Sequence, residues 1–228
     1  MNAGEHSKTR LTLGAVAASE RRRGPGRPPE GVREAILEAT LALIEEIGVS
    51  RLTTKEIARV GGFSEASIYY HFADKAALLE GAILEGVLAP FQEFAAAFAE
   101  RAPDGDVESM LLEFTAALTA FWERILPLLS AVQSDIDLRR RFRRRMNALD
   151  LGPHRAVRLV GGLLAGQQEH GTIREDVDPY SAAMLICSTC YLTGYQRHML
   201  GAKARRQLPA LEPTVSALVG LLQPPRRG

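Results

Sequence analysis

From residue 30 onward, apolar side chains recur at three- and four-residue steps, the spacing that lines up one face of an α-helix. In EGVREAILEATLALIEEIG (30–48) the stripe is Ile36, Leu37, Thr40, Leu43, Ile44 and Ile47. Pro29 and Glu30 suit the first turn of that helix, and Gly48 supplies its stop. A shorter unit follows. Thr53 and Glu56 form a T-x-x-E capping box that opens TKEIARV, a helix ending at Gly61 and Gly62. Ser64 can cap a second short helix, EASIYYHF, and Asp74 can cap a long one, KAALLEGAILEGVLAPFQEFAAAFAERA. Pro90 should kink the long helix, because proline removes a backbone hydrogen bond and crowds the preceding turn. Helical patterning continues over 106–132, with a bend expected at Pro127, then over 134–149, 153–170, 178–201 and 210–222. No segment alternates like a strand and no internal repeat is evident. The expectation is an all-α chain of about nine helices, with boundaries good to a few residues.

Residues 1–29 break the pattern. They are poor in large apolar side chains, end in RRRGPGRPP, and carry six Lys and Arg against two Glu, which predicts a disordered basic N-terminal arm. The whole chain of 228 residues has a formal net charge of only +1, so any basic footprint must be local. Residues 30–80 are net acidic, with nine Asp and Glu against five Lys and Arg, and this makes the arm's charge matter more. No secretory h-region opens the chain and no apolar run approaches the ~20 residues of a membrane span, so a cytoplasmic protein with no membrane partner is expected. Two cysteines, Cys187 and Cys190, exclude a disulfide framework.

Two short helices joined by a glycine-containing turn, after a scaffold helix, describe a helix–turn–helix DNA-binding unit over 30–77. Ile57, Ala58, Phe63, Ile68 and Phe72 can pack inward against Ile36, Thr40 and Leu43, leaving Glu65, Ala66, Ser67 and Tyr70 outward. Small outward side chains can enter a major groove about 12 Å wide. There Ser67 can bond several base edges, Glu65 can accept from a cytosine amine and Ala66 can touch a thymine methyl. Thr54 and Lys55 open the preceding helix and offer a hydroxyl, an ammonium and free N–H groups, and Lys55 is placed with Glu65, Ala66 and Ser67 as an expected base contact. Tyr69, Tyr70, His71 and Lys75 are expected on the DNA backbone. For Glu65, a solvated charge at a helix N-terminus is an equally good reading.

The stretch RLTTKEIARVGGFSEASIYYHFADKAALL resembles the signature of TetR-family transcriptional regulators, in the order T-T-x-x-I-A, A-G-V-S, Y-x-H-F and K-x-x-L. Thr53, Thr54, Ile57, Ala58, Gly62, Ser64, Tyr69, His71, Phe72, Lys75 and Leu78 match. Phe63 replaces the usual valine and Gly61 the usual alanine. The resemblance implies an all-helical homodimer with a C-terminal domain over 78–228 that binds a small-molecule effector and needs no cofactor. It also implies dimerisation through the last two helices, about 178–222, and a repressor that a ligand releases from a palindromic operator on double-stranded DNA. GTIREDVDP (171–179) resembles the connection that often precedes the dimer-forming helices.

Other features admit two readings. Arg23 and Arg27 in the arm resemble a G-R-P minor-groove contact, against a merely solubilising tail. The six arginines of LRRRFRRRM (138–146) wrap most of a helix, which favours solvated surface paired with Asp135, Asp137 or distant Glu over an anion site. CSTC (187–190) sits inside a helix with no second ligand pair, which favours buried packing over zinc or thiol redox chemistry. Phe121, Trp122, Met146 and Tyr191, with Phe114, Leu163 and Tyr195, are candidate effector-pocket lining as well as ordinary core. An architectural DNA-binder relying on the arm, and a thiol redox enzyme, are the rival functions.

Overall fold

A computed structural model of the chain describes residues 31–102, 106–203 and 208–224. The arm residues 1–29, including Arg23 and Arg27, lie outside them. Among the described residues the chain forms nine helices and no strand. They are α1 (Val32–Ile47), α2 (Thr54–Gly61), α3 (Glu65–His71), α4 (Lys75–Arg101), α5 (Val107–Ser134), α6 (Ile136–Ala148), α7 (His154–Glu169), α8 (Pro179–Leu200) and α9 (Leu211–Leu222).

Capping follows the local sequence closely. Thr53 Oγ1 accepts from the Glu56 N–H at 3.1 Å, Ser64 Oγ from the Ser67 N–H at 3.1 Å and Asp74 Oδ1 from the Ala77 N–H at 2.6 Å. The reciprocal half of the capping box is replaced: Glu56 pairs with Arg59 instead, at 2.8–2.9 Å. Gly62 adopts φ +72°, the left-handed conformation that lets α2 end and the chain turn toward α3. Gly61 matters for space. A Cβ there would lie 1.9 Å from the Phe63 ring. The two departures from the family pattern therefore compensate, since the larger aromatic in the turn occupies the volume that an alanine methyl would need.

α4 runs unbroken from Lys75 to Arg101, but Leu84–Leu88 forms a π-helical turn immediately before Pro90. The expected kink takes this form. A wider turn accommodates the missing proline N–H without ending the helix. By length and composition α4 could cross a bilayer. In the fold, however, Leu78, Leu79, Ala82, Ile83, Val87, Leu88 and Phe98 are buried against protein. Pro127 likewise lies inside a continuous α5.

Two cores result. The first gathers Ile36, Leu43, Ile57, Ile68, Phe72 and Leu78 with Ile125, Leu128 and Val132 of α5, which packs against α1 and α4 and so supports the short helices through them. The second joins Phe98, Leu111, Phe114, Leu164, Ala183, Ile186, Cys190 and Val219 from α4, α5, α7, α8 and α9. Phe121 and Trp122 pack against both. The 171–179 connection is pinned in place: Ile173 is buried, the Arg174 N–H donates to the Leu222 carbonyl at 2.9 Å, and Gln168 Nε2 donates to the carbonyls of Arg174 and Val177.

Gly61→Ala alone should destabilise the protein by about 1–3 kcal/mol through overpacking against Phe63. Combined with Phe63→Val it should become neutral or slightly stabilising, because a helical alanine costs less entropy than glycine. Urea denaturation of the four proteins in a double-mutant cycle measures this coupling.

Candidate nucleic-acid interface

α3 is only seven residues long, too short to persist by itself, so its position is imposed by contacts. Ile68 and Phe72 anchor its inner side at 1% and 2% exposure. Arg33, on α1, fixes its C-terminal end. The guanidinium donates to the His71 carbonyl at 3.0 Å, grips Glu85 in the π-turn at 2.6 and 2.8 Å, and lies 4.3 Å from the Phe72 ring centroid. This bidentate contact raises the Arg33 pKa and lowers that of Glu85. Sequence reading missed both residues.

The outer side assembles most of the expected contacts on one surface. Glu65 and Ala66 are exposed and Ser67 is half-buried. Thr54 Oγ1 donates to Glu65 Oε2 at 2.8 Å and lies 3.4 Å from the Tyr69 hydroxyl, linking the starts of α2 and α3. Ser67 Oγ sits 3.0 Å from Ser64 Oγ. Tyr69 and Tyr70 are 54% and 70% exposed, which leaves their hydroxyls accessible. Lys55 is exposed and makes no ion pair among the described residues. Lys75 Nζ donates to the Leu52 carbonyl at 2.6 Å, tying α4 to the entry of α2. Its other two N–H donors stay open to a phosphate. His71 differs from the rest of this set. Its Nε2 is buried without a partner, and its ring meets Tyr70 edge-on at 5.2 Å.

The four candidate pocket residues separate. Phe121, Trp122 and Tyr191 belong to a chain of ring contacts, at 5.4 Å between the first two and 4.9 Å between the last two. That chain continues through Phe91 to Phe94, Phe98 and Phe114, and on the other side to Tyr195. Met146 lies apart, on α6 against the first core. The arginines of α6 pair as expected with Asp137 and with distant carboxylates. Arg141 meets Glu80 at 2.8 Å and Asp74 at 3.7 Å, and Arg140 meets Asp137 at 3.6 Å. Cys187 and Cys190 are buried in the α8 face, and burial pushes their thiols up to about 12 and about 11. Among the described residues no cluster of ligating side chains could hold a metal.

Residues 36–82, which contain α2, α3 and the start of α4, match the bacterial regulatory proteins of the tetR family. Over this segment the chain carries the tetR-family domain. It is 28% identical over 89 residues to the tetracycline repressor protein class D of Escherichia coli, spanning 39% of this chain and 40% of that one. Similarity to the HTH-type transcriptional repressor NicS of Pseudomonas putida is 25% over 173 residues, covering 75% of this chain and 79% of NicS. In fold, the chain superposes on a TetR transcription regulator from Haloarcula marismortui with a TM-score of 0.65 at 20% identity, over 84% of this chain and 98% of the other.

Two outcomes check the site. Arg33→Ala should speed hydrogen exchange at the Phe72 amide, which bonds the Ile68 carbonyl, while the interior amides of α1 keep their protection. In the folded protein at pH 8 both thiols should resist a disulfide reagent that reacts at once after denaturation, because their folded-state pKa values lie well above the working pH.

Proposed function

We propose that the protein is a cytoplasmic, homodimeric transcriptional repressor. It binds a palindromic operator through α3 and is released by a small-molecule effector, acting by binding and not by catalysis. The observation that carries this reading is the division of α3 into a clamped inner side and an exposed outer side bearing Glu65, Ala66 and Ser67. Lys55 joins these three as a base contact. Thr54, Tyr69, Tyr70 and Lys75 hold phosphates, His71, with its Nε2 buried, supports them from behind, and Arg23 and Arg27 of the arm enter the minor groove beside the site. Residues 30–77 serve as the reading head and 78–228 as the effector and dimerisation domain. Repression is favoured over activation by the names of the two relatives.

Dimerisation is supported by a row of apolar side chains left exposed on α8 and α9. Met184 is 56% exposed, Leu185 64%, Met199 59% and Leu221 67%, more apolar surface than an isolated subunit usually leaves to water. The effector reading is supported by the ring chain of α4, α5 and α8. Trp122 Nε1 and Gln196 Oε1 are buried beside it without partners, groups that a ligand or trapped water would satisfy. In this scheme the effector changes the spacing of the two heads, and the coupling is worth about 1–3 kcal/mol.

Selection of bound sequences from random DNA tests the reading. It should return an inverted repeat whose half-sites lie about 34–36 Å apart. Recovery of no preferred sequence would contradict it. On the selected operator, Glu65→Ala should cost about 1–3 kcal/mol at one base pair and relax preference there. Removing residues 1–29 should weaken binding to all DNA while the sequence preference survives.

A further inference from the structure

We propose that a second ligand site, distinct from the effector region, lies in the cleft between the reading head and α6, and that it takes a small organic carboxylate with an apolar body. The cleft has a volume of about 580 Å³, within the range of small-molecule sites. Phe72, Leu84 and Ala148 give it an apolar floor. Its charged lining is four arginines, Arg33, Arg141, Arg144 and Arg145, against Glu80 and Glu85.

Both carboxylates are already engaged. Glu85 is held by Arg33, and Glu80 by Arg141 at 2.8 Å. Arg145 reaches Glu80 only at 3.9 Å, and Arg144 has no hydrogen bond or ion pair among the described residues. Two adjacent guanidinium groups therefore face the cleft with little compensation. The planar fork of arginine matches a carboxylate in bidentate fashion, and the apolar floor selects a ligand with a hydrocarbon portion over a bare inorganic ion. His71, whose Nε2 is buried and unpaired, stands in the same wall. The walls come from both the α3–α4 corner and α6, so an occupant touches head and C-terminal domain together. None of Phe121, Trp122, Met146 or Tyr191 contributes to it.

Octanoate is a suitable probe, with octylammonium as the control of opposite charge, titrated into the full chain labelled for NMR. Octanoate should shift the amides of Ala73, Ala77, Gly81 and Ala148 saturably, and octylammonium should not. The double variant R144A/R145A should weaken this binding by about tenfold or more with an unchanged melting temperature. Absence of saturable shifts at these amides, equal binding of octylammonium, or unchanged affinity in the double variant would overturn the proposal. Trp122, the only tryptophan in the chain, separates the two sites. Octanoate that alters its fluorescence without moving the cleft amides refutes the cleft and leaves the proposed effector region standing.

Discussion

A seven-residue helix cannot hold its own shape in water, because nucleation costs more than so few hydrogen bonds return. Everything proposed for this chain depends on how α3 is held. Three restraints act from different directions. Ile68 and Phe72 lock the inner side into the first core, Ser64 closes the N-terminus, and Arg33 catches the last carbonyl from behind. The outer side carries small and polar residues, and its tie to α2 is light: the Thr54 hydroxyl, which bonds Glu65 at 2.8 Å and lies 3.4 Å from the Tyr69 hydroxyl.

The same arginine reaches further. Its second partner, Glu85, lies in the π-turn of α4, at the point where the helix leaves the first core for the second. The corner of α3, the start of α1 and the widened turn of α4 therefore share one guanidinium. α6 adds a separate brace through Arg141, which joins Glu80 and Asp74. The head is thus tied to the C-terminal domain by ion pairs on two sides of α4 and by the Ile125, Leu128 and Val132 contacts beneath it. Changes in the position of α4 or α6 have a direct mechanical route to α3.

What was legible in the sequence was local. Helix limits, the caps at Thr53, Ser64 and Asp74, and the inward set Ile57, Ile68 and Phe72 follow from spacing and short-range hydrogen bonding. The outward set of Glu65, Ala66 and Tyr70 follows from the same periodicity. Less legible was whatever joins distant positions. Arg33 and Glu85 are 52 residues apart, and neither belongs to a motif. Phe91, Phe94 and Phe98 make ring contacts with Phe114 and Phe121 that exist only because α4 lies against α5. Met146 is on a helix of suitable composition but packs against the other core. The pairing of Gly61 with Phe63 lies between these cases: both departures were visible, and only the turn geometry shows that each permits the other.

The central claim is that a clamped α3 offers Glu65, Ala66 and Ser67 to base edges while its neighbours hold phosphates. A structure of the protein bound to its selected operator tests this directly. The account predicts α3 seated in the major groove, with those three side chains against bases and the Arg33 contacts to His71 and Glu85 intact. A complex in which α3 stays out of the groove, or in which Arg33 has left both partners, would contradict it.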